Sequence, residues 1–224
     1  MFDAIAERYD VLNHLLSAGI DRRWRRRAIR SLSLTGRERV VDLCTGTGDL
    51  AIEARRSTPP AARVIGIDFA HAMLRVANDK IGRLRLDESI AVVRGDATSI
   101  PLAAQSADAV TIAFGIRNVD DRDAACRDIG RVLRPGGRLA ILEFGTPTTP
   151  LVRQLYLWYF HQVLPRVGAL LSRHSAAYGY LPASVGAFAS PSEFAEILRV
   201  AGFDDVRAVP LTFGIVYLYT ARRR

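Results

Sequence analysis

Along the first two-thirds of the chain, short apolar runs alternate with stretches whose apolar residues recur at helical spacing. The runs at 39–43, 63–68, 90–94, 109–114 and 138–144 read as strands, several of them nearly all apolar and so buried on both faces. Helices are expected from about Asp49, over 71–81, where Met73, Leu74 and Ala77 share a face, and from a cap at Asp120 or Asp121 to Leu133. Residues 4–34 are helical in pattern with a break at Gly19, Pro59-Pro60 closes the first strand–helix unit, and Arg134-Pro135-Gly136-Gly137 makes a sharp turn. Such alternation predicts an α/β fold, a doubly wound and mostly parallel sheet with helices on both faces.

Beyond Pro147 the texture changes. Residues 151–171 are rich in aromatics (Tyr156, Trp158, Tyr159, Phe160) and give way to a stretch of small residues over 172–188. Ser190-Pro191-Ser192-Glu193 is a complete capping box with proline at the first helical position, and it predicts a helix over 193–201 stopped by Gly202. Two last strands, 206–209 and 212–220, joined through Pro210, predict an antiparallel edge hairpin that brings the sheet to seven strands. The expected organisation is a single domain over 1–224. Within it, 1–34 is a helical lid, 35–147 the cofactor-binding core, 148–189 a substrate and lid insertion, and 190–224 a C-terminal helix and hairpin.

The chemistry concentrates at one junction. Val40-Val41-Asp42-Leu43-Cys44-Thr45-Gly46-Thr47-Gly48-Asp49-Leu50 is a strand entering a helix through a glycine turn. Glycine allows the tight turn and a close approach to a ligand. The next apolar strand ends in Asp68, placed to accept hydrogen bonds from two ribose hydroxyls. Gly46-x-Gly48-x-x-Ala51 with Asp68 suits either an NAD(P) oxidoreductase or an S-adenosylmethionine (SAM) methyltransferase. Arg94-Gly95-Asp96-Ala97, an acid beside a backbone amide for reading an adenine edge, and the Arg134–Gly137 turn favour the second. Short-chain hydride chemistry needs a Tyr-x-x-x-Lys pair, and the sole lysine, Lys80, follows Val76.

Bulk properties narrow the classes further. An apolar fraction of 49% suffices for a packed core. Two cysteines, Cys44 and Cys126, exclude a disulfide framework and read as reduced and intracellular. Neither a signal peptide nor a membrane span is legible, since His161, Gln162, Pro165 and Arg166 break the most apolar stretch. Net charge is +8, carried by arginines that crowd 22–30 and close the chain at 222–224. A solvated helix face, an anionic membrane surface and nucleic acid compete to explain that cluster. Against nucleic-acid methylation, no Asn/Asp-Pro-Pro-Tyr motif is present and neither cysteine follows a proline.

The chain as a whole resembles the UbiE/MenG/Coq5 family of quinone C-methyltransferases. The likeness runs through Tyr9-Asp10-Val11-Leu12-Asn13 to Ser17 and Trp24, through Phe114-Gly115-Ile116-Arg117-Asn118-Val119, and through 131–139 to Leu142-Glu143-Phe144. It continues in Phe160-His161, in 163–168, and in Tyr178-x-Tyr180-Leu181. The resemblance implies the Rossmann-like SAM methyltransferase fold and methylation of a ring carbon on a polyprenylated hydroquinone. It places cofactor contacts at Thr47, Asp68, Asp96 with Ala97, and Ala113, beside the glycines Gly46 and Gly48. An Asn is usual at the position of Asp96 and a Ser at that of Ala113; Asp can still accept from the adenine amino group, and Ala113 can offer only its backbone.

Arg117, after the fourth strand, is the first candidate for stabilising a quinol oxyanion, with a structural pair to Asp120 or Asp121 as the plain alternative. His161 and Tyr178 are candidates for proton transfer or hydrogen bonding to the quinol, and Tyr9 and Asn13 for closing the cofactor pocket. No metal is expected. Partners are the hydroquinone and an anionic membrane at the inner face of the cell, reached from the cytoplasm; nucleic acid is not expected and a homodimer stays open. The Asp21-Arg22-Arg23-Trp24 segment leans toward demethylmenaquinol as substrate over a benzoquinol of the ubiquinone pathway.

Overall fold

A computed structural model describes residues 17, 19–147, 149–158, 162 and 184–224. Tyr9, Asn13, His161 and Tyr178 lie outside the described residues. Among the described residues the elements run helix α1 (Asp21–Ser31), then β1 (Arg39–Leu43), α2 (Asp49–Arg56), β2 (Arg63–Asp68), α3 (His71–Arg83) and β3 (Ile90–Arg94). Next come β4 (Ala107–Ala113), α4 (Arg122–Val132), β5 (Leu133–Phe144), α5 (Pro150–Trp158), α6 (Pro191–Val200), β6 (Phe203–Leu211) and β7 (Val216–Arg223).

The strands make one seven-stranded sheet in the order β3-β2-β1-β4-β5-β7-β6. The first five are parallel, and β7 runs antiparallel to both β5 and β6. Every residue of β4 but the last is buried, which is why this strand reads as one apolar run. One core cluster gathers Trp24, Ala28, Ile29 and Leu32 of α1 with Leu50 and Ala54 of α2, and the other gathers Cys126 and Ile129 of α4 with Phe194 and Leu198 of α6. Helices therefore cover both faces, as the alternation predicts.

The expected break at Gly19 is present: its φ of +73° suits glycine, and α1 starts just past it. Two details differ from the sequence expectation. The Arg134–Gly137 turn is looped out within β5 rather than preceding it. Ala107 pairs with Leu133 and Ala109 with Arg138, and Gly136 has φ +73°. Asp108 straps this irregularity, with Oδ1 2.5 Å from Arg134 and Oδ2 accepting the Arg39 amide at 2.6 Å. Pro210 is not the joint of the hairpin but a member of β6, opposite Tyr217, and a 3-10 turn at Thr212–Gly214 makes the connection. An edge strand tolerates the missing N–H.

Candidate active site

The sheet order reverses between β1 and β4, where strands leading to opposite sides part and leave a crevice at their carboxyl ends. Two unusual backbones face each other there. Cys44, after β1, has φ +54°, and Phe114, after β4, has φ +61°. Gly115 lies so close that an added Cβ would overlap the Cβ of Cys44. Gly48 has φ +82°, caps α2 from the left-handed region, and packs at 3.3 Å (ideal Cβ) from Ala77. Its part is the turn and the packing of α2 against α3, and it lines neither cavity described below.

The glycine loop is fastened from below by Asp42, 1% exposed in the middle of the sheet. Its carboxylate accepts from Thr45 Oγ1 at 2.6 Å, from Thr111 Oγ1 at 2.8 Å and from the Ala51 amide at the start of α2. Burial pushes its pKa up to about 6, against the downward pull of these donors and of the Arg25 charge. Asp68 fastens the loop from the side, its Oδ2 accepting the Gly46 amide and its Oδ1 the Ala70 amide, each at 2.8 Å. These two amides hold the Asp68 carboxylate in place at the edge of the loop.

Above these groups opens a cavity of about 540 Å³. Gly46, Asp68, Asp96, Ala97 and Ala113 line it, with apolar walls from Leu43, Ile67, Met73 and Val119. Asp96 Oδ1 accepts from the Thr98 amide and hydroxyl at 2.7 Å each, and these two bonds hold its carboxyl below the usual range. Phe69, 69% exposed, also lines the cavity and carries the Arg94 guanidinium 5.5 Å from its ring centre. Thr47 is buried and belongs instead to a small separate cavity of about 30 Å³, shared with Arg25, Asp42 and Asp49. Cys44, Gly46 and Ala113 line both spaces. Burial, with the neighbouring carboxylates, raises the Cys44 thiol well above its ordinary value, so it is no nucleophile.

Arg117 does not line the large cavity, although its neighbours Gly115 and Asn118 do. It is 8% exposed and pairs with Glu143, not with Asp120 or Asp121: Nη1 lies 2.8 Å from Oε1, and the Arg117 amide donates to Oε2 at 3.1 Å. Nη1 also bonds the Phe114 carbonyl, Nε donates to Ser184 Oγ at 3.3 Å, and the guanidinium sits 5.4 Å over Phe144. Phe114 and Phe144 stack at 4.5 Å, so an aromatic pair separates Arg117 from Arg25, which lies 5.8 Å over the Phe114 ring.

Sequence reasoning passed over Asp42, Glu143, Phe69 and Arg25. The first two had a signal, a lone acid inside an otherwise apolar strand. For Arg25 the signal was its spacing to Ala28, Ile29 and Leu32, which places it on the buried face of α1. Among the described residues no group of His, Cys, Asp and Glu could hold a metal ion.

A glycine loop, an acid after β2 and an acid after β3 around an apolar cavity at the switch point define a Rossmann-like methyltransferase site. Solved structures share the fold: a SAM-dependent methyltransferase of Thermotoga maritima matches with a TM-score of 0.67 at 18% identity, covering 100% of this chain and 98% of that one. Another from Aquifex aeolicus matches with a TM-score of 0.59 at 20% identity, covering 84% of this chain and 82% of that one. The chain belongs to the ubiE/COQ5 methyltransferase family, whose family model matches residues 1–223. It is 49% identical to the ubiquinone/menaquinone biosynthesis C-methyltransferase UbiE of Syntrophotalea carbinolica, covering 100% of this chain and 92% of that protein. It is 43% identical to the demethylmenaquinone methyltransferase of Bacteroides fragilis, covering 100% of this chain and 91% of that protein.

Proposed function

We propose that this protein methylates a ring carbon of a polyprenylated hydroquinone, with demethylmenaquinol as the acceptor and SAM as the donor. The observation that carries the reading is the cavity at the switch point, where Asp68, pinned by the Gly46 and Ala70 amides, meets Asp96 across apolar walls. Its volume lies in the range of small-molecule sites. Asp68 suits the ribose hydroxyls, Asp96 and Ala97 the adenine edge, and Thr47, Gly46 and Ala113 the path of the amino-acid tail. On this reading 35–147 is the cofactor-binding core.

Bound SAM supplies an electrophilic methyl on a sulfonium, open to in-line displacement. The acceptor carbon becomes a good nucleophile only when the neighbouring hydroxyl gives up its proton. The quinol has that proton and the oxidised quinone does not, so the reduced form is the substrate. Arg117 is assigned to stabilise the resulting oxyanion electrostatically, with Glu143 and Ser184 fixing the guanidinium. A guanidinium is a poor base, so proton uptake is assigned to His161 or Tyr178.

The test is an assay with purified protein, labelled SAM, reduced demethylmenaquinol and a reduced ubiquinone-pathway benzoquinol, read by product mass. Methylation of the naphthoquinol alone is expected. Methylation of the benzoquinol alone would overturn the choice of acceptor, and turnover of neither would overturn the reading. Arg117→Ala would strand buried Glu143, at a cost of about 3–5 kcal/mol. Arg117→Lys keeps the charge, and it should lower turnover at least tenfold with unchanged affinity for S-adenosylhomocysteine.

A further inference from the structure

Helix α5 meets the core through one side chain. Of Pro150–Trp158, Tyr156 alone is buried, 7% exposed, and Val152, one turn before it on the same face, is half-buried. Leu151, Leu155, Leu157 and Trp158 stay exposed. The phenol oxygen of Tyr156 is itself buried. A buried tyrosine hydroxyl needs polar company, and here the company is charged. Burial holds its pKa well above the ordinary tyrosine value, Arg117 pulls it down and Glu143 pushes it up. The hydroxyl is therefore a neutral dipole beside the Arg117–Glu143 pair.

Arg117 is tied on nearly every side. Nη1 serves Glu143 and the Phe114 carbonyl, Nε serves Ser184, and Phe144 covers a face of the guanidinium. The Arg117 carbonyl accepts from Arg122 Nη2 at 3.2 Å, and the Arg122 guanidinium lies 5.3 Å over the Phe188 ring. Tyr156 before residues 159–183, and Ser184 and Phe188 after them, thus converge on one short segment behind β4. Among the described residues Arg117 Nη2 makes no hydrogen bond, which leaves it as the donor for a reacting oxygen. In a low-dielectric site a neighbouring dipole decides how such a group is turned.

We infer that Tyr156 is a positioning residue: from α5 its hydroxyl holds the Arg117–Glu143 pair so that Arg117 Nη2 is aimed at the quinol oxygen. The inference deepens the oxyanion role proposed above and rests on it. It gives α5 a part in the reaction through a side chain that need not touch the quinol.

The test is methylation of reduced demethylmenaquinol over a pH series, with S-adenosylhomocysteine titration on the same preparations. Tyr156→Phe keeps the ring and removes the hydroxyl. It should lower kcat about tenfold at neutral pH, less than the loss of roughly a hundredfold or more on deleting an oxyanion donor itself. Affinity for S-adenosylhomocysteine should hold, because Tyr156 lines neither cavity. With the guanidinium misaimed, the quinol hydroxyl ionises less readily, so the pH of half-maximal turnover should rise by about one unit, the equivalent of that tenfold loss. This midpoint does not depend on how much of the protein is folded. Adding Tyr156→Phe to Arg117→Lys should cost little more, since both act through one contact. Tyr219→Phe is the comparison, a phenol on β7 that is buried and feels Glu143 and Tyr217, and its midpoint should stay in place. An unmoved midpoint in Tyr156→Phe, an equal rise in both phenylalanine variants, or fully multiplicative losses with Arg117→Lys would each overturn the positioning role. Wild type that methylates no quinol would overturn the functional reading itself, whereas an active wild type matched by Tyr156→Phe would overturn only this inference.

Discussion

Three backbone amides, a hydroxyl and a guanidinium converge on the carboxylate of Glu38, at the turn into β1. Burial opposes its charge, but the Thr35 amide and hydroxyl and the Arg138 side chain outweigh that cost and hold its pKa down to about 2. A depressed carboxylate contributes stability above its unfolded value, near 4.5, and loses it as pH falls through 2. At pH 7 a shift of this size corresponds to about 3 kcal/mol. Glu38→Gln should therefore cost about 2–3 kcal/mol at pH 7, and the gap to wild type should close between pH about 4.5 and 2, as read by urea denaturation in a pH series. Asp42 works with the opposite sign. Its pKa is raised to about 6, so the fold bears the cost of ionising it above that pH and is relieved as pH falls toward the unfolded value of 3.8.

Among the elements, the loops after β1 and β4 are the pair on which the site depends. Their residues Cys44 and Phe114 adopt left-handed backbones, a conformation that carries strain outside glycine and clusters at functional sites. Only the missing side chain of Gly115 lets the two loops meet. Gly115→Ala should force them apart and cost about 1–3 kcal/mol of stability, the range for overpacking. Because Cys44 and Gly115 both line the large cavity, affinity for S-adenosylhomocysteine should fall with it. Thermal melts and titration on one preparation check both effects, and an unchanged affinity would remove these loops from the cofactor site.

At the scale of the whole molecule, charge and apolar exposure fall on related surfaces. Arg23, Arg26, Arg27 and Arg30 of α1 and Arg207 of β6 rim a groove floored by Val209, Leu211 and Leu218. Beside it, Phe213 is 73% exposed, and its turn abuts Pro147 just before α5, where Leu151, Leu155 and Trp158 are exposed. No helix among the described residues is long and apolar enough to cross a membrane. We propose that this face meets anionic phospholipid head groups, the arginines supplying attraction and Phe213 a shallow apolar anchor. Vesicles containing anionic lipid should sediment the protein and neutral ones should not, with Phe213→Ser and high salt each weakening the association. Equal recovery on both vesicle types would dismiss the electrostatic part.

Local pattern alone determined the alternation of strands and helices, the bounds of β1, β2 and β3, the capping box at Ser190 and the positions of Gly46, Asp68 and Asp96. These follow from periodicity, caps and turn chemistry, which act between residues close in the chain. Only the tertiary structure decided that Arg117 answers to Glu143, 26 residues on, rather than to the nearby Asp120 or Asp121. Only it separated Arg25 from the arginines around it, and made Pro210 a member of an edge strand. In each case the deciding partner comes from a distant element, and the energy at stake is that of burying a charge or pairing a strand. A charge run looks uniform in sequence because burial is a property of the fold and not of the residue.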